Sequence, residues 1–194
     1  TLLGHVDDPI GRPEQRFSED YLRMLRALRF STELDFRIEQ RTWQAICTNA
    51  QRLTGISGER IAAELERILV HPNRQKGAAE LLTSGLWQVI FPGLENSRAK
   101  FATRVLAKLP ERIDFPLSLA ALFAACETDF AMDRLSRLKL SRKQTRHIKF
   151  LLDRRSRLLS ADMSVAELKL LAGEPYFWDL YEFQQAIQKS ITQM

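Results

Sequence analysis

The stretch that decides the fold runs from Arg16 to Phe30 and reads RFSEDYLRMLRALRF. Leucines recur at every third position, beside an equally spaced series of arginines, and residues three apart are neighbours on an α-helix. The two series are Leu22, Leu25, Leu28 and Arg23, Arg26, Arg29. The pattern predicts a helix from about Ser18 to Leu34, with Ser18 as its N-cap, an apolar face turned inward and an exposed ridge of arginines.

Most of the remaining chain also has helical periodicity, and no run alternates with period two for long enough to indicate a sheet. The sequence therefore predicts an all-α protein. A second helix is predicted to begin near Glu39. The further predicted helices cover Thr54 to Val70, Gln75 to Thr83, Ala99 to Leu109, Pro116 to Cys126, Phe130 to Leu138, Arg142 to Leu159, Val165 to Leu171 and Tyr176 to Ile191.

Prolines and glycines divide the chain into three parts. Residues 1–16 contain two of each and predict an extended connector. A Pro-Gly pair at positions 92 and 93 ends the next group of helices, so we expect a boundary near Asn96. The predicted domains are residues 17–96 and a second helical domain, residues 97–194.

Composition narrows the class of protein. The chain has 194 residues, of which 45% are apolar and 27% charged, which is typical of a globular fold. Its apolar runs are too short to span a bilayer, so we expect no membrane partner. The net charge of +5 is compatible with a polyanionic partner.

The side chains most often used in metal sites are isolated in the sequence. Cys47 and Cys126 lie in apolar helical patterns without a CxxC partner, so both are predicted to be buried thiols in a reducing, cytoplasmic protein. His71 and His147 have no ligand at metal-site spacing, and we expect no metal site. The three tryptophans, at positions 43, 87 and 178, have apolar neighbours and are predicted to pack in the core.

Asp20 and Arg23 are the candidate binding pair. A carboxylate beside a guanidinium presents acceptors and donors that can address the edge of a nucleobase, while Arg26 and Arg29 can reach phosphate or ribose. The alternative is a solvated helix with an Asp20–Arg23 ion pair that contributes about 0.2–0.5 kcal/mol. Judged on spacing alone, the solvated helix is the favoured interpretation, because exposed ion pairs are the default on helix surfaces.

A second candidate surface lies between Arg134 and Arg157, where ten basic residues alternate with apolar ones. It would contact RNA phosphates, or it is simply a solvated basic face. The candidate RNA-binding residues are Arg142, Lys143, Arg146, Lys149 and Arg154.

Three ordered motifs carry a family resemblance. They are RFSEDYLRMLRALRFSTELDFRIE (residues 16–39), ISGERIAAELERIL (residues 56–69) and LLTSGLWQVIFPGLE (residues 81–95). Together they resemble the neck of the class II tRNA nucleotidyltransferases and bacterial poly(A) polymerases, whose pattern has EDxxRxxRAxRF, IS-x-ERI-x-x-EL and GL-x-x-x-x-P-x-L. The sequence departs from that pattern at Asp35, where the family usually has glycine.

The resemblance implies specific roles. Asp20 and Arg23 would form a template that selects the base of CTP or ATP, with Arg26 and Arg29 as further nucleotide-binding residues, and the helix 56–69 would brace them. The family's catalytic carboxylates and Mg²⁺ belong to a head domain that this sequence lacks, so we expect no catalytic residue or cofactor here and no activity from the chain alone.

The partners implied are ATP, CTP, the 3′ end of tRNA or another RNA, and the catalytic head. We favour CCA addition to tRNA. A poly(A) polymerase, or a stand-alone all-α RNA-binding or scaffold protein, remains an alternative.

Overall fold

The computed structural model describes residues 13–159 and 163–192, and every regular element within these ranges is helical. The α-helices are α1 (Pro13–Glu19), α2 (Leu22–Leu34), α3 (Gln40–Asn49), α4 (Gly58–Leu69), α5 (Arg74–Thr83), α6 (Leu86–Ile90), α7 (Asn96–Lys108), α8 (Phe115–Leu122), α9 (Thr128–Ser136), α10 (Arg142–Arg154), α11 (Val165–Ala172) and α12 (Phe177–Ile191). Short 3-10 helices cover Ala50–Gly55 and Arg157–Leu159. The all-α prediction is confirmed.

The first predicted helix is interrupted. Helix α1 ends at Glu19 and α2 begins at Leu22, whereas one helix from Ser18 was expected. The Oδ1 atom of Asp20 accepts a hydrogen bond from the backbone N–H of Leu22 at 3.1 Å, so the chain restarts its helix there. The predicted connector was also too long, because its residues 13–16 are helical; residues 1–12 lie outside the described residues.

Helix α2 is the centre of the first helical group. Leu22, Leu25 and Leu28 are at most 2% exposed, and the helix packs against α4 and α5. The three helices meet closely at Gly77 of α5, where a Cβ atom would lie 2.4 Å from the Ile68 side chain of α4 and 2.5 Å from the Thr32 hydroxyl of α2. Helix α4 therefore lies directly on the helix that carries the candidate site.

The turn after α2 contains the residue at which the sequence departs from its apparent family. Asp35 has φ +54° and ψ +32°, the left-handed conformation that favours glycine. Its carboxylate forms an ion pair with Lys76 Nζ at 3.0 Å, and the same ammonium donates to the carbonyls of Ser31 and Phe36. The aspartate thus keeps the glycine-type turn and adds a contact to α5.

Helix α7 begins at the expected boundary and joins both groups. It packs against α5 on one side and against α8 and α12 on the other. The guanidinium of Arg74, whose residue is 3% exposed, donates to carbonyl oxygens at and after the end of α7, including those of Leu106 (3.2 Å) and Glu111 (3.0 Å). The apolar core is continuous across Asn96, and the division into two domains stays a prediction.

Two predictions of burial were wrong. Cys47 is exposed, although Cys126 is buried as expected. Trp178 is 73% exposed, whereas Trp87 is fully buried. Helix α12 turns Leu180 and its neighbours inward, and a residue two positions earlier lies about 200° away around a helix of 3.6 residues per turn, on the opposite face. No described helix is long and apolar enough to cross a membrane.

Candidate functional site

Asp20 lies at the junction of α1 and α2 rather than within a helix. Its Oδ1 atom caps α2, and its Oδ2 atom forms an ion pair with Arg60 Nη2 at 2.6 Å. Burial alone would raise the pKa of Asp20, but the Leu22 N–H and the charges of Arg60 and Arg26 outweigh burial and hold that pKa below its usual value. The side chain is 24% exposed, so an ionised carboxylate remains open to solvent.

Arg23 stands one turn along α2 from Asp20. Its Nη1 atom donates to the Glu19 carboxylate and to the carbonyl of Arg16 at 2.9 Å, and its side chain is 35% exposed. The structure therefore brings a partly exposed carboxylate and a partly exposed guanidinium to one junction, although the sequence predicted both on one face of a single helix. The expected alternative, an Asp20–Arg23 ion pair, is replaced by separate contacts to Arg60 and Glu19.

Helix α4 braces this junction through charged side chains. Of its side chains, Arg60 binds Asp20, Glu64 binds Arg26 and Arg29, and Arg67 Nη2 contacts the Glu33 carboxylate at 2.9 Å. The three residues are spaced four and three apart, so they share one face of the helix. The bracing role was predicted from family resemblance, but its ionic character was not; the spacing of charges in residues 56–69 was the available signal.

The arginine ridge is less exposed than predicted. Arg26 Nε donates to Glu64 Oε1 at 3.0 Å, and its side chain is 48% exposed. Arg29 is 7% exposed, and its Nη1 atom lies 3.2 Å from Glu64 Oε2 while the guanidinium covers the Phe30 ring at 4.4 Å. The exposed part of the ridge thus ends at Arg26, because the carboxylate of Glu64 draws Arg29 inward.

The candidate RNA-binding residues lie on one helix. Arg142, Lys143, Arg146 and Lys149 are exposed on α10, and the opposite face, with Ile148 and Leu151, is buried. Lys149 pairs with Asp153 at 2.9 Å, and Arg154 is half-buried over the Phe150 ring at 4.5 Å. Arg154 is therefore less available to a ligand than the other four.

His147 has carboxylate neighbours that the sequence did not reveal. The residue is 3% exposed; its Nδ1 atom lies 3.4 Å from Asp114 Oδ2 and its Nε2 atom 3.0 Å from Asp179 Oδ2. Asp114 lies thirty-three positions before His147 and Asp179 lies thirty-two positions after it, so no local spacing could indicate these partners. The prediction that His147 lacks such company was wrong.

Comparison with known proteins places the chain in a family. The family described as "Probable RNA and SrmB-binding site of polymerase A" matches residues 35–97. The CCA-adding enzyme of Limosilactobacillus reuteri (strain DSM 20016) is 41% identical over 105 residues, covering 54% of this chain and 26% of that enzyme. The CCA-adding enzyme of Streptococcus gordonii is 37% identical over 142 residues, covering 72% of this chain and 35% of that enzyme.

Solved structures show the same fold. A CCA-adding enzyme in complex with CTP superposes with a TM-score of 0.64 at 21% identity, covering 93% of this chain and 47% of that one. The Thermotoga maritima CCA-adding enzyme complexed with tRNA gives a TM-score of 0.56 at 21% identity, covering 93% of this chain and 49% of that one.

The aligned part of this chain spans about a quarter to a third of the curated relatives' length. The matched segment 35–97 contains the bracing helix α4, and all-α folds of this kind are shared with CCA-adding enzymes. The chain belongs to the tRNA nucleotidyltransferase and poly(A) polymerase family, and it corresponds to the family's helical neck and body.

Proposed function

We propose that this chain is the nucleotide-selecting and RNA-binding part of an enzyme that adds CMP and AMP to the 3′ end of tRNA. The observation that carries the proposal is the junction of α1 and α2, where Asp20 and Arg23 are both partly exposed and held by neighbouring charges. CTP, ATP and tRNA are bound by solved CCA-adding enzymes of the same fold, which supports the choice of ligands.

The contacts support a template rather than a charged surface without function. An ionised carboxylate only accepts hydrogen bonds and a guanidinium only donates them, so the pair can complement a base edge that offers a donor beside an acceptor. The amino group of cytosine or adenine would donate to Asp20, and a ring nitrogen would accept from Arg23. Arg60 and Glu19 hold these side chains until the base replaces those contacts.

Arg26 and Arg29 take different roles in this proposal. Arg26 is half-exposed and can reach the ribose or phosphates. Arg29 is buried against Glu64 of α4 and helps to position the exposed arginines of α2. Glu64, with its side chain 8% exposed, neutralises two arginines that would otherwise repel each other on adjacent turns of α2.

Chemistry must come from elsewhere in the enzyme. At the described junction Asp20 is already engaged by the Leu22 N–H and by Arg60, so these residues do not fit the carboxylate pair that would hold Mg²⁺. We assign the metal, the catalytic carboxylates and the triphosphate contacts to a catalytic head. This chain binds and orients the base.

The test compares nucleotide selection in the full-length protein. Asp20→Asn and Arg23→Gln should each reduce the preference for CTP over UTP by about 5- to 150-fold, which corresponds to about 1–3 kcal/mol of base discrimination. Asp129→Asn, a change at an exposed carboxylate on α9, is the matched control and should leave selection intact. An unchanged CTP/UTP ratio in both site variants would refute the template.

RNA binding by α10 is tested separately with this chain. Lys143→Gln together with Arg146→Gln should weaken tRNA binding and lower the slope of log affinity against log salt by roughly one per lost phosphate contact. Lys100→Gln together with Arg104→Gln, at two exposed basic residues of α7, is the charge-matched control, because it also removes two positive charges. Equal salt slopes in the double variant and the wild type would show that α10 is only a solvated basic face.

Poly(A) synthesis is the second candidate, and one observation favours it: the matching family is described by reference to polymerase A. The two activities differ in product. With the full-length protein and all four nucleotides, CCA addition yields tRNA extended by a defined C-C-A end, whereas poly(A) synthesis yields adenosine tails of variable length.

A further inference from the structure

A buried histidine joins three elements of the second helical group. His147 lies on the inner face of α10; Asp114 precedes α8 and Asp179 lies in the first turn of α12. The imidazole is stacked on the Tyr176 ring, with centroids 3.9 Å apart and planes 12° from parallel. Because Tyr176 and Asp179 both belong to the start of α12, two of the three contacts attach that helix to α10.

The two carboxylates face different nitrogens of the ring. Asp114 approaches Nδ1 and Asp179 approaches Nε2. A neutral imidazole carries one N–H, so it can satisfy one carboxylate and must present a lone pair to the other. The imidazolium carries a proton on each nitrogen and attracts both. The Nε2–Asp179 contact is not aligned as a hydrogen bond, so it depends on the charge of the ring.

The surrounding groups favour the charged ring. Asp114 accepts from the Leu117 N–H through Oδ1, which keeps its Oδ2 atom turned to His147. The charge of Lys143, one turn earlier on α10, also acts on Asp114. Burial would raise the pKa of Asp114, but the contacts to His147, Leu117 and Lys143 hold it below its usual value, so the carboxylate stays ionised.

We propose that the cluster is a proton-operated latch: the imidazolium of His147 fastens the first turn of α12 to α8 and α10, and loss of its proton loosens that attachment. The neutral ring leaves two carboxylates to share one N–H. The start of α12 then keeps its apolar contacts but loses the ionic ones. The latch is independent of the nucleotide site proposed above.

The pH range follows from the energetics of the ring. Burial alone would lower the pKa of His147, but the two carboxylates outweigh it and raise that pKa from 6.5 to about 8. A pKa raised in the folded state contributes stability that is complete below pH 6.5 and lost as the pH rises through 8. A difference of about 1.5 pKa units between the closed and open states multiplies the equilibrium constant for opening by about 20 between pH 6 and pH 9.

Hydrogen exchange of α12 tests the latch. Exchange rates of the amides in residues 177–191, corrected for the intrinsic effect of pH, should indicate an opening constant about 20-fold larger at pH 9 than at pH 6. His147→Gln should abolish this difference, and His71→Gln, at a histidine whose Nδ1 accepts from the nearby Asn73 N–H, should retain it.

NMR titration provides an independent measurement. The Cε1 proton of His147 should report a pKa near 8 in the wild type and a lower one in Asp179→Asn, which also covers the case in which His147→Gln does not fold. A His147 pKa at or below 6.5, or a pH response of α12 that survives in His147→Gln, would overturn the proposal.

Discussion

Replacing Gly58 with alanine should destabilise the protein, because α4 begins in direct contact with the end of α9. A Cβ atom at position 58 would lie 1.8 Å from the carbonyl oxygen of Arg137 and 3.2 Å from Cα of Leu138. Carbon and oxygen atoms in close contact lie about 3.3 Å apart, so the two segments must separate by about 1.5 Å. Both opposing atoms are backbone atoms, and no change of rotamer can relieve the overlap.

The magnitude follows from two opposing effects. Overpacking of this kind typically costs about 1–3 kcal/mol, and a backbone overlap belongs at the upper end of that range. Replacing glycine by alanine at the first position of a helix also stabilises the protein by about 0.4–1 kcal/mol, because it reduces the conformational entropy of the unfolded chain. The free energy of unfolding should therefore fall by about 2 kcal/mol, and the melting temperature by roughly 4–8 °C for a chain of this size.

Urea and thermal denaturation followed by circular dichroism at 222 nm measure this change. Gly55→Ala is the matched control, because no atom lies within 4 Å of a Cβ built at that position, only three residues away. We expect the control to remain within about 0.5 kcal/mol of the wild type. If Gly58→Ala is as stable as Gly55→Ala, the close approach of α4 and α9 is wrong.

Two further changes test other parts of the fold. Arg74→Met should lower the free energy of unfolding, measured by urea titration, by at least about 3 kcal/mol, because several buried carbonyls lose their donor. The control is Arg104→Met, at an exposed arginine of α7, which should change the free energy of unfolding by less than about 0.5 kcal/mol. A disulfide reagent should modify one thiol in the native protein and two in denaturant, because Cys47 is exposed and Cys126 is buried. Desolvation raises the pKa of both thiols. Modification of both thiols in the native protein would contradict the packing around α8.

Local pattern predicted the helices well and their interruptions poorly. Leucines three apart were sufficient to place the inner face of α2, because apolar burial follows helical period. The break at Asp20 depends on one side-chain oxygen that competes with the helix for the Leu22 N–H. An aspartate in the first turn of an unbroken helix can form the same kind of hydrogen bond. The residue type alone therefore does not distinguish a helix cap from an interior position.

Exposure was the least predictable property of single residues. Trp178 and Cys47 have apolar neighbours in sequence, yet adjacent positions on a helix point about 100° apart. Which of two neighbours turns inward depends on the helix that packs against it. For α12 that surface is supplied mainly by α7, seventy residues earlier in the chain.

The candidate site was half predictable. Residue chemistry indicated Asp20 and Arg23, and the structure leaves both partly exposed. The burial of Arg29 could not be predicted, because it depends on Glu64, which lies thirty-five positions away. The pairing of charges between α2 and α4 becomes visible only when the two helices are placed side by side.

The position of α7 between the two helical groups affects how the protein unfolds. Val105 and Leu106 are fully buried, and α7 faces α5 on one side and α12 on the other, so neither group can lose its structure without uncovering the other's apolar surface. Melting should accordingly be a single cooperative transition, with equal calorimetric and van't Hoff enthalpies. A chain cut at residue 96 would expose α5 and its buried arginine to water, and should be recovered as an aggregating, partly ordered species rather than as an independent neck.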